Sequence, residues 1–285
     1  TMHRFFWVLA VSYAVGASSY VTPPLIPLSF RHQALQRSLR QSSSLSRAPS
    51  HARTATMMAG FAKPPAKKEK PQAAPPPADL TGLTKHDLGD GTKFMGGWVI
   101  EDGAVCDDLI AEYQKQQKAG KALKGQVSMK GGGAPVVNKD IKDSVEMSFA
   151  PNDPSPAWKK YVASLQKVMG AYVEEYPLAG AYGVFGLTSR ANFQYYPASG
   201  GYKTYHTERT GASEPEGSRH LVFMTYMNDV TDDGGTEFYH QGKIIQPVKG
   251  LTLIWPADWT FTHRGVPSPS QEKMIITGWF NYVGR

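Results

Sequence analysis

Beyond Tyr182 the chain breaks into short runs rich in Val, Ile, Thr, Phe, Tyr and Trp, each closed by Gly, Pro or Asp. In order they are SRANFQYYP, YKTYHTE, HLVFMTYMNDV, GTEFYH, GKIIQPV, GLTLIWP, TFTHRG and KMIITGWFNYV. β-Branched and aromatic side chains suit a pleated, half-buried surface, and turn residues at this spacing mark one strand after another. The pattern predicts a β-sandwich or jelly roll.

Helices come before it. GGWVIEDGAVCDDLIAEYQKQQKAG predicts a short strand, a turn and a helix over Val105–Lys118. There Val105, Leu109, Ile110 and Tyr113 follow the helical period until Gly120 stops it. DSVEMSFA reads as a strand, and SPAWKKYVASLQKVMGAYVEEYP as a helix from Ser155 to about Glu175, with Pro177 beyond its end. The expected class is therefore mainly β with flanking helices (α+β), a β-sandwich or jelly roll braced by N-terminal helices.

Composition places this domain within the chain. With 285 residues, 41% of them hydrophobic, there is ample material for a core. The formal charge of +7 suggests an anionic partner, but it is unevenly spread. Residues 1–70 carry ten Lys or Arg and one acid, Glu69, whereas residues 71–285 carry 21 basic and 23 acidic residues. The globular part is close to neutral and lacks the basic face that nucleic acid requires, so no nucleic-acid partner is expected. The single cysteine, Cys106, allows no internal disulfide and reads as a small packing residue at a helix start.

The basic excess belongs to a leader. An apolar run from Phe5 to Ala17 falls short of the ~20 residues of a spanning helix and reads as a signal peptide over residues 1–17. No acid occurs from Ser18 to Lys68, while Arg31, Arg37, Arg40, Arg47 and Arg53 lie among serines. Residues 18–61 therefore read as a transit-peptide-like segment. Signal plus transit composition suggests import into an algal plastid; a basic tail on an endomembrane-lumen protein is the alternative. Residues 62–83, with the AKPPAKKEKPQAAPPPAD stretch, read as a Pro/Lys-rich linker, and residues 84–285 as the folded domain.

The chemistry centres on TYHTERTG. Side chains two apart on a strand share a face, so His206 and Glu208 can meet one ion. Alone, the pair is equally a half-exposed histidine beside a solvated acid. His263, 55 positions after Glu208 at the end of a strand, adds a third donor. Ten residues later Lys273 opens KMIITGWFNYV, where Lys273, Ile275, Thr277 and Trp279 share one face. If that face looks inward, a lysine is buried, which is costly unless an anion joins it. Two His and one carboxylate make a facial triad that suits Fe(II), with positions left open for substrates. His220 and His240 lack such partners and read as structural or surface residues.

At these residues the chain resembles the Fe(II)/2-oxoglutarate-dependent dioxygenases of the prolyl 4-hydroxylase branch. The likeness runs from Trp98 to Tyr282. It includes WVIEDGAVCDDLI, YYPASGGYKTYHTE, RHLVFMTYMNDVTDDGGTEF and GLTLIWPADWTFTHRGVPSPSQEKMIITGWF. The resemblance implies a double-stranded β-helix fold (jelly roll, cupin-like), with His206, Glu208 and His263 as iron ligands, Lys273 on the distal carboxylate of 2-oxoglutarate, and Tyr196 as the tyrosine beside it, with Tyr195 as the register alternative. It implies Fe(2+), with 2-oxoglutarate and O2 as cosubstrates and ascorbate as an optional auxiliary. The implied reaction couples oxidative decarboxylation of 2-oxoglutarate to hydroxylation or desaturation of a peptidyl or small-molecule substrate. There are two departures: Glu208 stands where most of the family has Asp, and one residue is inserted between Tyr202 and His206.

Three functions are compatible with this reading: a peptidyl-prolyl hydroxylase, an oxygenase of a small plastid metabolite or pigment like the chlorophyll c synthases, and a non-catalytic β-sandwich binding protein. Other features carry two readings each. Arg209 and Arg264 either contact an anionic substrate or face solvent. The KGGGAP loop is a lid or a connector, DVTDDGGTEFY a strand turn rather than a calcium loop, and one of Trp255, Trp259 and Trp279 is a candidate for the substrate wall.

Overall fold

The computed structural model describes residues 78–127, 134–211 and 213–283. The signal, transit and most of the linker assignments lie outside the described residues, as does most of the KGGGAP loop.

Twelve strands, two α-helices and three short 3-10 helices make up the described chain. A short β1 (Leu83–Lys85) and β2 (Gly96–Ile100) lead into α1 (Ala104–Lys118). Next come β3 (Leu123–Lys124), β4 (Val145–Phe149) and α2 (Pro156–Glu175). The β-rich half holds β5 (Phe185–Gly186), β6 (Ala191–Tyr196), β7 (Arg219–Tyr226), β8 (Thr236–Phe238) and β9 (Lys243–Ile245). It closes with β10 (Leu251–Pro256), β11 (His263–Gly265) and β12 (Lys273–Tyr282). All pairings are antiparallel. The large sheet runs β1-β2-β10-β7-β12-β6-β4-β3, with β5 beside the end of β12, and a small sheet runs β11-β8-β9.

Period-two alternation sorts the large sheet into two faces. From β12, Met274, Ile276 and Phe280 join Leu221 and Phe223 of β7 and Phe193 of β6 in a core against the helices. Leu109 and Tyr113 of α1, with Trp158, Tyr161, Leu165, Val168 and Tyr172 of α2, supply the opposing layer. Trp158 stacks on Phe149 with ring centroids 5.1 Å apart, and burying an aromatic of this size stabilises by about 1.5–3 kcal/mol. Gly278 faces the same layer, where a Cβ would meet Phe223 Cζ at 2.6 Å. The absent side chain lets the phenyl ring lie across the strand.

The other face looks toward the small sheet. Val222, Met224, Tyr226, Leu253, Trp255 and Ile275 pack there with Phe238 and Ile245. Tyr226 ties the two sheets: its hydroxyl donates to the Ile245 carbonyl (3.0 Å) and is hydrogen-bonded to Thr236 Oγ1 (2.7 Å). The molecule is thus a jelly-roll sandwich with helices on the outside of its large sheet.

Two expectations need correction. Ordered contacts begin ahead of Thr84: Ala78 N–H donates to Glu174 (3.3 Å), Asp79 pairs with Lys167 (2.9 Å) and Leu83 pairs with Ile100 in β1. The last residues assigned to the linker therefore belong to the domain. YKTYHTE is not a strand. It makes single bridges only, Tyr202 to Lys142 and His206 to His263. Gly265 N–H donates to the Tyr202 carbonyl (2.7 Å) while His206 and His263 exchange both backbone bonds. Two steps along β11 thus face four steps along this segment, and the surplus residues bulge out.

Candidate metal centre

The two backbone hydrogen bonds exchanged by His206 and His263, 2.9 and 3.0 Å, set these residues directly opposite each other. Their side chains leave the same face, with ring centroids 4.4 Å apart. Glu208 lies two residues on, in a segment pinned by Arg209 N–H and Thr207 Oγ1, both donating to the Ala257 carbonyl (2.9 and 3.1 Å). Glu208 Oε1 comes within 3.7 Å of His206 Nε2 and 3.6 Å of His263 Nε2. Among the described residues these three form the one group of His, Cys, Asp or Glu able to share an ion, their donor atoms all within 4.8 Å of one another.

Both imidazoles are oriented by their other nitrogen. His206 Nδ1 lies 3.0 Å from the Thr204 carbonyl and His263 Nδ1 3.0 Å from the Phe261 carbonyl. A carbonyl only accepts, so each Nδ1 carries the proton and each Nε2 keeps its lone pair for the cavity. Burial, reinforced by the neighbouring His206, pulls the His263 pKa down to about 4, so the ring is neutral at physiological pH. Tyr202 stacks on His206 at 3.9 Å between centroids, and Phe238 and Trp255 pack around His263. For Glu208, burial pushes the pKa up, but attraction to His206, His263 and Arg219 and a hydrogen bond from Trp279 outweigh it. The carboxyl is held below its usual value and stays ionised. Two imidazole Nε2 donors and one carboxylate suit an Fe(II) ion.

These residues open into a cavity of about 770 Å³ between the sheets, which Lys273, Tyr196, Thr277 and Trp279 also line. The expected inward face of β12 is thus the observed one. Lys273 is 3% exposed, and its Nζ donates to the carbonyls of Gly234 (2.6 Å) and Val266 (3.2 Å). No carboxylate pairs with it among the described residues, and burial lowers its pKa to about 8. The Gly234 carbonyl comes from DVTDDGGTEFY, a left-handed turn in which Asp233 has φ 57° and Gly234 φ 75°. That segment is a turn which presents a carbonyl, and Asp232 accepts from Ser270 Oγ (2.5 Å).

Tyr196 lies opposite Lys273 in the β6–β12 register, buried, with its ring 5.4 Å from Lys273 Nζ and its hydroxyl donating to Gln194 (2.6 Å). Tyr195 turns the other way, toward Glu272 (3.0 Å) and Tyr113. The alternation of β6 thus assigns the cavity to Tyr196.

Arg209 and Arg264 do not enter the centre. Arg209 pairs with Asp258 (3.1 Å), and Arg264 pairs with Glu237 (2.7 Å) over the Tyr205 ring. His220 is bonded to the Ala179 carbonyl (2.8 Å), and His240 packs edge-on to the exposed Trp259. Cys106 is fully buried in α1, and burial pushes its thiol up to about 11. The arginine that does reach the centre is Arg219, which the sequence reading passed over. It stands 3.6 Å from Glu208 Oε2 and donates to the Glu208 carbonyl (2.6 Å). The available signal was a lone arginine opening the apolar strand HLVFMTY.

Residues 191–281 match the family model of the 2OG-Fe(II) oxygenase superfamily. No curated protein matches the chain by sequence. Among solved structures, the chain is similar to a Pseudomonas putida prolyl-4-hydroxylase at 19% identity, with a TM-score of 0.49, over 71% of this chain and 95% of that one. It is also similar to a viral collagen prolyl hydroxylase of Paramecium Bursaria Chlorella virus-1, in its 2OG complex, at 17% identity, with a TM-score of 0.47, over 71% and 97% of the two chains. A Trichoplax adhaerens prolyl hydroxylase, in complex with a hypoxia inducible factor peptide fragment, is similar at 13% identity, with a TM-score of 0.49, over 71% and 86%.

Proposed function

We propose that the chain is an Fe(II)- and 2-oxoglutarate-dependent oxygenase, in line with the match of residues 191–281 to the 2OG-Fe(II) oxygenase family model, in which His206, Glu208 and His263 hold the iron and Lys273 binds the far carboxylate of 2-oxoglutarate. The observation that carries this reading is a buried lysine with no counter-charge among the described residues, in the same cavity as the His-Glu-His cluster. A buried cation of this kind is costly on its own and is offset when an anion arrives. The cosubstrate dianion would supply that charge. Tyr196, packed beside Lys273 with its hydroxyl donating to Gln194, forms the wall of the same subsite.

Iron, when bound, would supply the chemistry that splits O2, oxidises 2-oxoglutarate to succinate and CO2, and removes a hydrogen from the substrate. The chain itself keeps two imidazole lone pairs aimed at one point, neutralises the cosubstrate's far end, and surrounds the reacting groups with Trp255, Ile275 and Trp279 to limit water. Hydroxylation is the default outcome.

The quoted sequence blocks support a peptidyl-proline substrate of prolyl 4-hydroxylase type. The acid-free, arginine-spotted leader favours a second reading, oxidation of a small plastid metabolite or pigment. A reporter fused behind residues 1–80 and reaching the plastid supports the second; retention in the endoplasmic reticulum supports the first. For the centre itself, Fe(II) and 2-oxoglutarate are added without oxygen to the purified protein. A metal-to-2-oxoglutarate charge-transfer band that vanishes in His206→Ala and His263→Ala is the expected result. No band, and no succinate formed in air, would overturn the assignment.

A further inference from the structure

A glutamate carries its carboxylate on two methylenes and can offer a metal either oxygen or both. In this structure the two oxygens are divided. Oε1 faces the two imidazoles, 3.7 and 3.6 Å from their Nε2 atoms. Oε2 faces away from them, accepting from Trp279 Nε1 at 3.0 Å with Arg219 Nη1 at 3.6 Å.

Both partners are themselves fixed. Arg219 opens β7 and Trp279 lies on the neighbouring β12, where Trp279 pairs with Val222 and Asn281 with Arg219. The guanidinium lies on the indole, 3.8 Å from Cζ to the ring centroid, and donates to the Glu208 carbonyl (2.6 Å). Glu216 stands 3.5 Å from its other terminal nitrogen. An indole N–H has no second role, since it donates only and carries a single hydrogen. Spent on Oε2, it fixes the turn of the carboxylate about its last bond.

We propose that Arg219 and Trp279 are positioning residues that hold Oε2 of Glu208 away from the metal, so that the flexible glutamate binds through Oε1 alone. The proposal rests on the iron reading above. Groups that orient a metal ligand in this manner change metal affinity by about 10–100-fold when removed. The clamp needs the reach of a glutamate: with one methylene fewer, the carboxylate cannot touch both the imidazole nitrogens and the indole.

The test is calorimetric titration of Co(II) into the metal-free full chain, with the visible spectrum of the bound ion recorded alongside. Trp279→Phe should weaken Co(II) binding by about 10–100-fold and alter the spectrum. In a Glu208→Asp background the same substitution should change affinity by less than about threefold, because the indole no longer touches the ligand. Arg219→Lys, which keeps the charge but loses the stacking plane, runs the same cycle should Trp279→Phe not fold. Equal weakening in both backgrounds would mark a general structural role and overturn the clamp, as would an unchanged affinity and spectrum. A wild-type chain that binds no Co(II) would instead sink the metal assignment itself, and the clamp with it.

Discussion

Lys273→Met isolates the energetic consequence of burying a cation in the cavity. The side chain is 3% exposed and burial takes its pKa from 10.5 to about 8. That difference corresponds to about 3 kcal/mol favouring the neutral amine in the folded state. Between pH 8 and 10.5 the unfolded chain keeps a proton on this lysine that the folded chain has released. The unfolded state binds more protons there, so stability rises with pH, by at most about 1.4 kcal/mol per unit. Methionine is similar in length and does not titrate, and its pH-independent cost at the Gly234 and Val266 carbonyls cancels when differences are taken across pH. Urea unfolding of both proteins at pH 7 to 10.5, without metal or 2-oxoglutarate, should show the wild-type minus variant stability constant below about pH 7.5. It should then climb by about 3 kcal/mol and level off near the unfolded lysine value. A flat difference across this range would show that Lys273 is hydrated, and the argument for an anion subsite would lose its basis.

Three further outcomes follow from the packing. Trp158→Ala removes the ring stacked on Phe149 beneath the large sheet and should destabilise by about 3–5 kcal/mol in chemical denaturation; a cost below 1 kcal/mol would contradict the packed helix layer. Tyr161→Phe deletes a hydroxyl in the buried Tyr161–Thr225–Thr252 chain that links α2 to β7 and β10, with an expected loss of about 1–2 kcal/mol and no change in Co(II) affinity. At Gly235 a Cβ would meet Ile244 Cγ2 at 2.5 Å and the Ile245 carbonyl at 2.9 Å. Gly235→Ala should therefore lower stability by about 1–3 kcal/mol and also weaken 2-oxoglutarate binding, since the preceding carbonyl holds Lys273; unimpaired 2-oxoglutarate binding would uncouple this hairpin from the lysine.

Much of the site was legible in residue types and spacing. His206 and His263 could be paired because two ligands of one ion must converge, and Lys273 stood out because a lysine on an inward face needs an anion. Arg219 was not legible. Its role depends on the register between β7 and β12, which sets its guanidinium on Trp279, and no local pattern encodes that register. Tyr196 and Tyr195 were likewise equivalent in sequence until the alternation of β6 separated them. The segment around His206 read as a strand from its β-branched and aromatic residues, yet its surplus length against β11 forces a bulge. The strand rule for His206 and Glu208 gave the right neighbours through a backbone that is not a strand.

Taken alone, the sequence determined the alternation of strands, the two helices that brace them, and the residue types of the His206, Glu208 and His263 cluster, because period, turn residues and side-chain chemistry are local properties. Tertiary structure decided what the donors do. It set the two imidazoles opposite each other, tilted by 51°, through one pair of backbone hydrogen bonds and, among the described residues, left Lys273 without a counter-ion in the same cavity. It also divided the oxygens of Glu208 between the histidines and the Arg219–Trp279 pair. Those outcomes depend on register and on distances between strands far apart in the chain, which only the closed sandwich sets.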